Sequence, residues 1–343
     1  MSIIAIVGSG MMGSAMSFPA RDNGHEVRLI GTHLDREIIE EAQKTGYHKT
    51  LKYQLPDGVK YYQIEELRQA LSGADLLIGG VSSFGVDWFA ENVLSIIPET
   101  LPVLSVTKGM IHTGRGELIS YPAYYARKLG GKRISLNAVG GPCTSYELAA
   151  QDQTEVCFCG EDIEVLRKMK SILKTVYYHI SLSTDIMGVE CAVALKNAFA
   201  LGVTLAIGLS ERKDGQMHYN SQAALFGQSV KEMRKILALY GCRDQSIYIG
   251  AGDLYVTVYG GRTRLIGTLL GKGYSFEDAM AELKGVTLES VVIAKRTAEA
   301  IRALAAQGRV RPEDFPLLLH VDDIIKGARA DQIPWDAFEI EMV

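Results

Sequence analysis

The residues near the N-terminus that could do chemistry are Gly8-Ser9-Gly10-Met11-Met12-Gly13, which fit the pattern G-x-G-x-x-G. They follow the apolar run Ile3–Val7 and precede a stretch with helical character. In this strand–turn–helix context the first glycine permits a tight turn, the second lets a pyrophosphate approach the backbone, and the third allows close helix–strand packing. The helix N-terminus adds N–H groups and a positive dipole end. The spacing therefore predicts a dinucleotide-binding loop rather than a glycine-rich turn without a ligand.

The choice between NAD and NADP depends on the end of the second predicted strand, Val27–Ile30. An acidic residue there holds the ribose hydroxyls of NAD, and a basic residue accepts the 2′-phosphate of NADP. Thr32 and His33 are neutral, whereas Asp35 and Arg36 favour opposite cofactors. The sequence leaves both cofactors open and leans to NAD.

Lys196 is the strongest candidate for acid–base chemistry. It lies in the middle of a predicted helix whose flanking residues, from Cys191 to Ala200, are almost all small or apolar. A buried ammonium group is costly unless it is paired or its pKa is lowered, and lysine is a residue whose pKa moves readily on burial. Because the position is central, a lysine that reaches solvent from a helix end is the weaker interpretation. We predict that Lys196 is a general acid or base.

Three further charged groups could act with Lys196. Lys108 follows an apolar strand, where open parallel sheets bind their ligands, although taken alone it reads better as a surface lysine in a turn. Asp253 lies in Gly250–Leu254, which we interpret as a glycine-rich corner. Arg262 and Arg264 lie beside Gly260-Gly261, a composition that suits either a phosphate clamp or a flexible basic loop.

Composition limits the classes of partner. The chain has 343 residues, of which 47% are hydrophobic and 22% charged, so there is enough apolar surface for a folded protein. The net charge is -4 and there is no long basic run, which excludes the electrostatic footprint of a nucleic-acid partner. The five cysteines are scattered, and no histidine or further cysteine stands at zinc-ligand spacing. We expect reduced thiols and no metal site.

The N-terminus and one long apolar segment bear on location. Met1-Ser2 leads directly into the first strand without a basic region or cleavage site, so we expect no targeting peptide and a cytoplasmic protein. Residues Cys191–Leu209 nearly reach the length of a membrane span. Lys196 and Asn197 interrupt this segment, which favours a buried core helix and no membrane insertion.

The pattern of elements predicts two domains. Apolar strands at Ile3–Val7, Leu76–Val81 and Val103–Val106 alternate with helices, which is typical of a parallel sheet covered on both faces. From about Met187 helical periodicity dominates. We therefore expect an α/β fold with a Rossmann-type doubly wound sheet in residues 1–186, followed by an all-helical substrate domain in residues 187–343.

Several segments together give the chain a resemblance to the NAD(P)-dependent glycerol-3-phosphate dehydrogenase family over nearly its full length. No single segment decides the match. The matching segments are Gly8–Gly13, Ala74–Ile78, Ser105–Gly109, Gly140–Pro142 with Tyr146–Ala149, Ala194–Asn197, Asn220–Leu225 with Glu232-Met233, Gly252–Leu254 with Thr257, and Arg262 anchored by Gly267 and Leu270–Gly273.

The resemblance implies reversible hydride transfer between NAD(P)H and dihydroxyacetone phosphate in a cleft between the domains of a homodimer. It implies that Lys196 donates the proton to the carbonyl oxygen, that Lys108 and Asp253 orient and polarise the substrate, and that Arg262 binds its phosphate. The substrate-binding residues that it implies are Lys108, Gly141, Asn197, Thr257, Arg262 and Thr263. The cofactor-binding residues that it implies are Gly8, Ser9, Gly10, Met11, Met12, Gly13, Thr32, Ser82, Lys108, Ser145 and Arg262.

The chain departs from the family pattern at several of these positions. Met12 replaces an aromatic residue, Ser82 a proline, Thr263 an asparagine and Thr32 a basic residue, and Lys284-Gly285 stands where the family has Glu-Gly. The departures leave two alternatives: a reductase of the same fold that acts on another phosphorylated ketose or polyol or on a hydroxy acid, or a dinucleotide-sensing protein without catalysis.

Overall fold

The computed structural model describes residues 1–286 and 288–341, and the chain divides into two compact units. Unit 1 comprises Met1–Lys108 and Ser120–Glu190, and unit 2 comprises Gly109–Ile119 and the chain from Cys191 onward. The predicted division after residue 186 thus differs from the structure in two respects: the second boundary follows Glu190, and Gly109–Ile119 belongs with the helices of unit 2.

Unit 1 is built on one eight-stranded sheet, as the predicted Rossmann-type fold requires. The strands of this sheet are β1 Ile3–Val7, β2 Glu26–Ile30, β5 Lys60–Tyr62, β6 Leu76–Gly79, β7 Val103–Ser105, β10 Leu136–Gly140, β11 Thr154–Cys159 and β12 Tyr178–Ser183. The strand order is β12-β11-β10-β7-β6-β1-β2-β5, and every neighbouring pair is parallel except β10 with β11.

Strand β1 marks the point where the chain changes direction across the sheet. It pairs with β2 on one side and with β6 on the other. The chain therefore first extends the sheet on the β2 side of β1 and then returns to extend it on the β6 side. Residues Ile4–Val7 are fully buried, because a parallel strand is covered by helices on both faces. Ligands of such sheets bind beyond the carboxyl ends of the strands at this switch point, which is where Gly8 follows Val7.

Eight helices belong to unit 1. They are α1 Met11–Ala15, α2 Ser17–Asp22, α3 Arg36–Thr45, α4 Leu67–Leu71, α5 Val86–Phe89 with a π-helical continuation Ala90–Leu94, α6 Tyr121–Lys128, α7 Ser145–Ala149 and α8 Ile163–Leu173. The stretch with helical character after the glycine-rich loop forms two helices that are divided at Met16. Pro19 cannot donate a hydrogen bond to Ala15 O, four residues earlier. The Ser17 hydroxyl donates to Ser14 O at 2.6 Å.

Two short hairpins were missed by the sequence reasoning. The first pairs β3 Tyr47–His48 with β4 Tyr53–Gln54, and the second pairs β8 Met110–Gly114 with β9 Glu117–Ser120. The second hairpin is held in unit 2 by Arg296 Nη1, which donates to Met110 O at 2.7 Å, and by the Tyr240 hydroxyl, which donates to Gly116 O at 2.7 Å. These contacts are distant in sequence, so local periodicity does not reveal them.

Apart from this hairpin, the described residues of unit 2 form helices and the loops between them. The long helix α9 Ile186–Lys213 begins in unit 1 and is followed by α10 Tyr219–Leu239, α11 Ser246–Tyr259, α12 Arg262–Lys272, α13 Phe276–Glu282, α14 Glu289–Ala306 and α15 Pro316–Ile325. In the described part of the chain, α9 is the one helix long and apolar enough to cross a membrane, and 89% of its most apolar window is buried within the protein.

The prediction of a glycine-rich corner at Gly250–Leu254 was wrong, because these residues lie inside α11. A Cβ on Gly250 would approach both the Ala192 side chain and Met233 Cε to 2.8 Å. The glycine therefore serves close packing of α11 on α9 and α10 rather than a turn. Arg262 and Arg264 lie in the first turn of α12 and not in a flexible loop.

Candidate active site

The glycine-rich loop of unit 1 is packed backbone against backbone. Gly8 has a φ of +104°, and a Cβ there would lie 2.7 Å from the carbonyl carbon of Gly80. A Cβ on Gly13 would lie 2.0 Å from Gly8 O. A Cβ on Gly80 would in turn lie 2.7 Å from Gly13 Cα, so three glycines meet at the carboxyl ends of β1 and β6. Gly80 was not among the predicted site residues, although Gly79-Gly80 at a strand end was a visible signal.

Gly10 differs from the glycines around it. It has an ordinary φ of -66°, and a Cβ built there meets nothing within 4 Å. It is the N-cap of α1, and no side chain caps the first N–H groups of that helix, which begins at Met11 and Met12. An open space beside uncapped amides fits a phosphate group of a dinucleotide.

The end of β2 is joined to this loop through Asp35. One oxygen of its carboxylate, Oδ2, accepts hydrogen bonds from Ser9 N at 3.2 Å, Thr32 N at 2.8 Å and Thr32 Oγ1 at 2.8 Å. Arg36, the basic residue that favours NADP, forms an exposed ion pair with Glu65. The acidic group therefore faces the loop, and the basic group has a partner elsewhere on the surface.

Lys108 lies just beyond the carboxyl end of β7. Its Nζ donates to Gly141 O at 2.8 Å, which brings together two of the predicted site residues. Gly141 has a φ of +122°, where a side chain would be strained. Of the two predicted serines, Ser82 is exposed after β6, and Ser145 is buried at the start of α7.

Glu190 is a buried acid near Lys108 that the sequence reasoning did not weigh. It is fully buried in the first turns of α9, and this burial raises its pKa to about 8. The charge of Lys108 and a hydrogen bond from the backbone of Tyr121 oppose the rise. The signal that could have found it was an acid six positions before Lys196 in an otherwise apolar helix.

Replacing Glu190 with glutamine should make the stability of the protein less sensitive to pH. The folded pKa of about 8 lies above the ordinary 4.5, so the folded state binds a proton that the unfolded state has released between these values. The contribution of Glu190 to the free energy of unfolding is fully present below pH 4.5 and falls as the pH rises to about 8. The fall is about 1.4 kcal/mol per pKa unit. Melting temperatures of wild type and Glu190→Gln, measured between about pH 5 and about pH 9, should diverge in favour of the variant. A difference that stays constant across this range would contradict the shifted pKa.

In unit 2 the central feature is an ion pair between α9 and α11. Lys196 Nζ lies 2.7 Å from Asp253 Oδ1, with the two side chains 13% and 1% exposed. Asn197, the next residue of α9, is buried, and the Thr257 hydroxyl donates to Asp253 O at 2.7 Å, one turn along α11. The sequence placed these four residues in one site, and in the structure Lys196 and Asp253 are in direct contact.

The remaining predicted residues lie at the N-terminus of α12. Its N-cap is Gly261, with a φ of +83° and no capping side chain. Arg262 is exposed, Thr263 is buried, and Arg264 Nη1 donates to Tyr259 O at 2.8 Å. The arginine left on the surface beside the uncapped helix end is thus Arg262. Within residues 1–286 and 288–341, no group of three or more His, Cys, Asp or Glu side chains is placed to hold a metal ion.

Comparison with known proteins identifies the family. The model of the NAD-dependent glycerol-3-phosphate dehydrogenase N-terminus matches residues 3–166, and the model of the C-terminus matches residues 185–333. A curated relative, the NADP(+)-dependent glycerol-3-phosphate dehydrogenase of Archaeoglobus fulgidus, is 33% identical over 309 residues, 89% of this chain and 90% of the relative. The chain belongs to the NAD-dependent glycerol-3-phosphate dehydrogenase family. It is accordingly an oxidoreductase that acts on a CH–OH group and uses NAD or NADP.

Solved structures of similar proteins agree with the fold. Glycerol-3-phosphate dehydrogenase from Coxiella burnetii superposes with a TM-score of 0.79 at 23% identity, covering 98% of this chain and 97% of that protein. The Saccharomyces cerevisiae glycerol-3-phosphate dehydrogenase superposes with a TM-score of 0.80 at 21% identity, covering 99% of each chain. At these identities the likeness shows the fold alone, a parallel-dominated Rossmann-like sheet followed by a helical domain.

Proposed function

We propose that the chain catalyses reversible hydride transfer between NAD(P)H and dihydroxyacetone phosphate, giving glycerol 3-phosphate. The observation that carries the proposal is the buried Lys196–Asp253 pair. Burying an ammonium and a carboxylate costs free energy that their mutual attraction does not always offset. Because this costly pair is present in the helical core of a member of a dehydrogenase family, we infer that the cation takes part in the reaction.

The proposed acid–base group is Lys196. Reduction of a ketone places negative charge on the carbonyl oxygen, and a cation at that oxygen stabilises this charge and then supplies the proton. The reduced nicotinamide supplies the hydride to the carbonyl carbon. In the reverse direction neutral Lys196 accepts the hydroxyl proton. Asp253, in contact with Lys196 Nζ at 2.7 Å, orients the ammonium group.

The remaining residues of the proposal hold the substrate. Lys108, fixed by Gly141 O, carries a second positive charge toward the substrate oxygens. Arg262 binds the phosphate, helped by the uncapped N-terminus of α12. Residues Gly141, Asn197, Thr257 and Thr263 complete the proposed substrate site.

The proposed cofactor site is the loop Gly8–Gly13, where the open space at Gly10 takes the pyrophosphate. The family resemblance adds Thr32, Ser82, Lys108, Ser145 and Arg262 to the residues proposed to bind the cofactor. The Asp35 carboxylate at the loop favours NAD, because it repels a 2′-phosphate brought near it. The relative from Archaeoglobus fulgidus, named as NADP(+)-dependent, favours the other cofactor.

The test of the function is oxidation of NADH and of NADPH, followed by absorbance, with dihydroxyacetone phosphate as substrate and unphosphorylated dihydroxyacetone as the control. We expect rapid oxidation with the phosphorylated ketone and little with the control. Turnover of a 2-oxo acid instead would support the hydroxy-acid alternative. Cofactor binding without turnover of any of these compounds would support the sensing alternative.

Arg262 should control the affinity for the substrate phosphate. Replacing it with alanine removes a charge-assisted hydrogen bond, so the KM for dihydroxyacetone phosphate should rise by about 10- to 100-fold. The matched control is Arg264→Ala, because that guanidinium donates to Tyr259 O within the protein. Steady-state kinetics of both variants decide the matter. An equal rise in KM for the two variants would show that Arg262 has no special role.

Two broader features belong to the same proposal. A homodimer and a cytoplasmic location follow from the family resemblance and are proposed on that basis. Sedimentation of the purified protein tests the first, and fractionation of cells that express it tests the second.

A further inference from the structure

His48 lies buried under the cofactor loop and makes two hydrogen bonds to backbone. Its Nδ1 accepts from Leu51 N at 2.9 Å, and its Nε2 lies 2.8 Å from Ser9 O. The side chain has no exposed surface. Because Leu51 N–H can only donate and Ser9 O can only accept, the neutral ring must carry its proton on Nε2 and donate it to Ser9 O. The tautomer of His48 is therefore fixed by its surroundings.

The hairpin that carries His48 is well supported. Residues His48 and Tyr53 face each other across β3 and β4, and Leu55 N donates to Gly46 O at 2.8 Å. Leu51 and Leu55 are buried in the hydrophobic core of unit 1. The β3–β4 hairpin thus fixes the position of the imidazole, and Nε2 is directed at Ser9 O in the cofactor loop.

The backbone of Ser9 is consequently held from two directions. Its N–H donates to Asp35 Oδ2, and its carbonyl accepts from His48 Nε2. The Ser14 hydroxyl adds a longer bond to the same carbonyl, at 3.2 Å. Gly10, which follows directly, is the residue with open space around it and with the uncapped helix behind it.

We propose that His48 is a positioning residue for the dinucleotide: its Nε2–H holds the Ser9 carbonyl, so that the amides after Gly10 are aimed at the phosphates before the cofactor arrives. The inference rests on the proposed function, since it presumes that the loop binds NAD(P)H. A binding loop that is fixed in advance loses less entropy when its ligand binds. His48 touches neither substrate nor cofactor in this proposal and acts only through Ser9.

Two conservative variants separate the two hydrogen bonds of the ring. In His48→Gln the amide nitrogen occupies the place of Nε2 and retains the donor to Ser9 O. In His48→Asn an amide oxygen occupies the place of Nδ1 and retains the acceptor for Leu51 N, while Ser9 O keeps only the longer hydrogen bond from the Ser14 hydroxyl. The pair therefore distinguishes support of the loop from support of the hairpin.

The experiment is a fluorescence titration of wild type and both variants with NADH and with NADPH, together with melting temperatures and steady-state kinetics. We expect His48→Asn to bind the preferred cofactor about tenfold more weakly, with unchanged kcat at saturating cofactor and unchanged KM for dihydroxyacetone phosphate. We expect the affinity of His48→Gln to stay near that of wild type, even where its melting temperature falls.

Three results would overturn the inference. Equal cofactor affinity of wild type and His48→Asn would overturn it alone, while the proposed function stood. A folded His48→Gln that binds as weakly as His48→Asn would show that the ring supports the hairpin only. Absence of NAD(P)H binding by wild type would overturn the proposed function and this inference together. Should His48→Asn fail to fold, His48→Leu, which also removes the donor to Ser9 O, replaces it in the comparison, and equal cofactor affinity of wild type and this variant would overturn the inference.

Discussion

Replacing Lys196 with methionine should lower kcat by about 10⁴-fold, because the variant loses both the proton donor and the charge that stabilises the developing alkoxide. Methionine retains an apolar stem of similar length, so the packing of α9 is largely kept. The affinity for NAD(P)H should change little, since Lys196 is not among the residues proposed to bind the cofactor. Turnover is measured by nicotinamide absorbance, and binding by fluorescence.

A second variant controls for the stability of the first. Loss of Lys196 removes the cation that lies 2.7 Å from Asp253, a carboxylate only 1% exposed. Breaking such a pair by removing one member costs about 3–5 kcal/mol of folding stability. The double variant Lys196→Met/Asp253→Asn removes both charges and should recover much of that stability, while its activity stays low. Recovery of activity in the double variant, or turnover near wild type in the single one, would show that Lys196 is structural.

The second large effect is the loss of NAD(P)H binding when either of two glycines in the loop Gly8–Gly13 is replaced with alanine, each for a different reason. Gly10→Ala should fold normally, because its φ is -66° and the new methyl group meets nothing within 4 Å. It should nevertheless bind NAD(P)H at least about 100-fold more weakly, since the methyl group fills the space through which the pyrophosphate approaches the backbone. Melting temperature and a fluorescence titration give the two quantities separately.

Gly13→Ala is the matched comparison. Its methyl group would lie 2.0 Å from Gly8 O, a backbone atom that cannot move without displacing β1. This variant should therefore be unable to bind the cofactor. Its free energy of unfolding should also fall by a few kcal/mol or more, as it does when a buried site is overpacked. A Gly10→Ala protein with wild-type affinity would show that the dinucleotide does not approach the loop at Gly10.

The parts of the fold that follow from neighbouring residues could be predicted from the sequence. The run Ile3–Val7 followed by Gly8–Gly13 contains the strand, the turn and the start of the helix within eleven residues, and the structure places all three there. Lys196 could be singled out because its apolar flanks made a buried cation conspicuous, and Asp253 is its partner. In both cases the decisive information lay within one element or in the chemistry of one residue.

Features that depend on contacts distant in sequence were missed or wrong. Gly250 suggests a turn by its type alone, but it is needed where α11 packs against Ala192 and Met233. The hairpin after Lys108 belongs to unit 2 because Arg296 and Tyr240 bind its backbone. His48 carries no motif, and its importance appears only when Ser9 is found above it.

Hydride transfer itself is tested by following deuterium into the product from NADH or NADPH that is dideuterated at carbon 4. The protein is incubated with labelled cofactor and dihydroxyacetone phosphate, and glycerol 3-phosphate is analysed by mass spectrometry. We expect one deuterium on carbon 2 of the product with wild type, and no labelled product with Lys196→Met on the same time scale. Product that carries no label, or no product while the cofactor is bound, would contradict the proposed reaction.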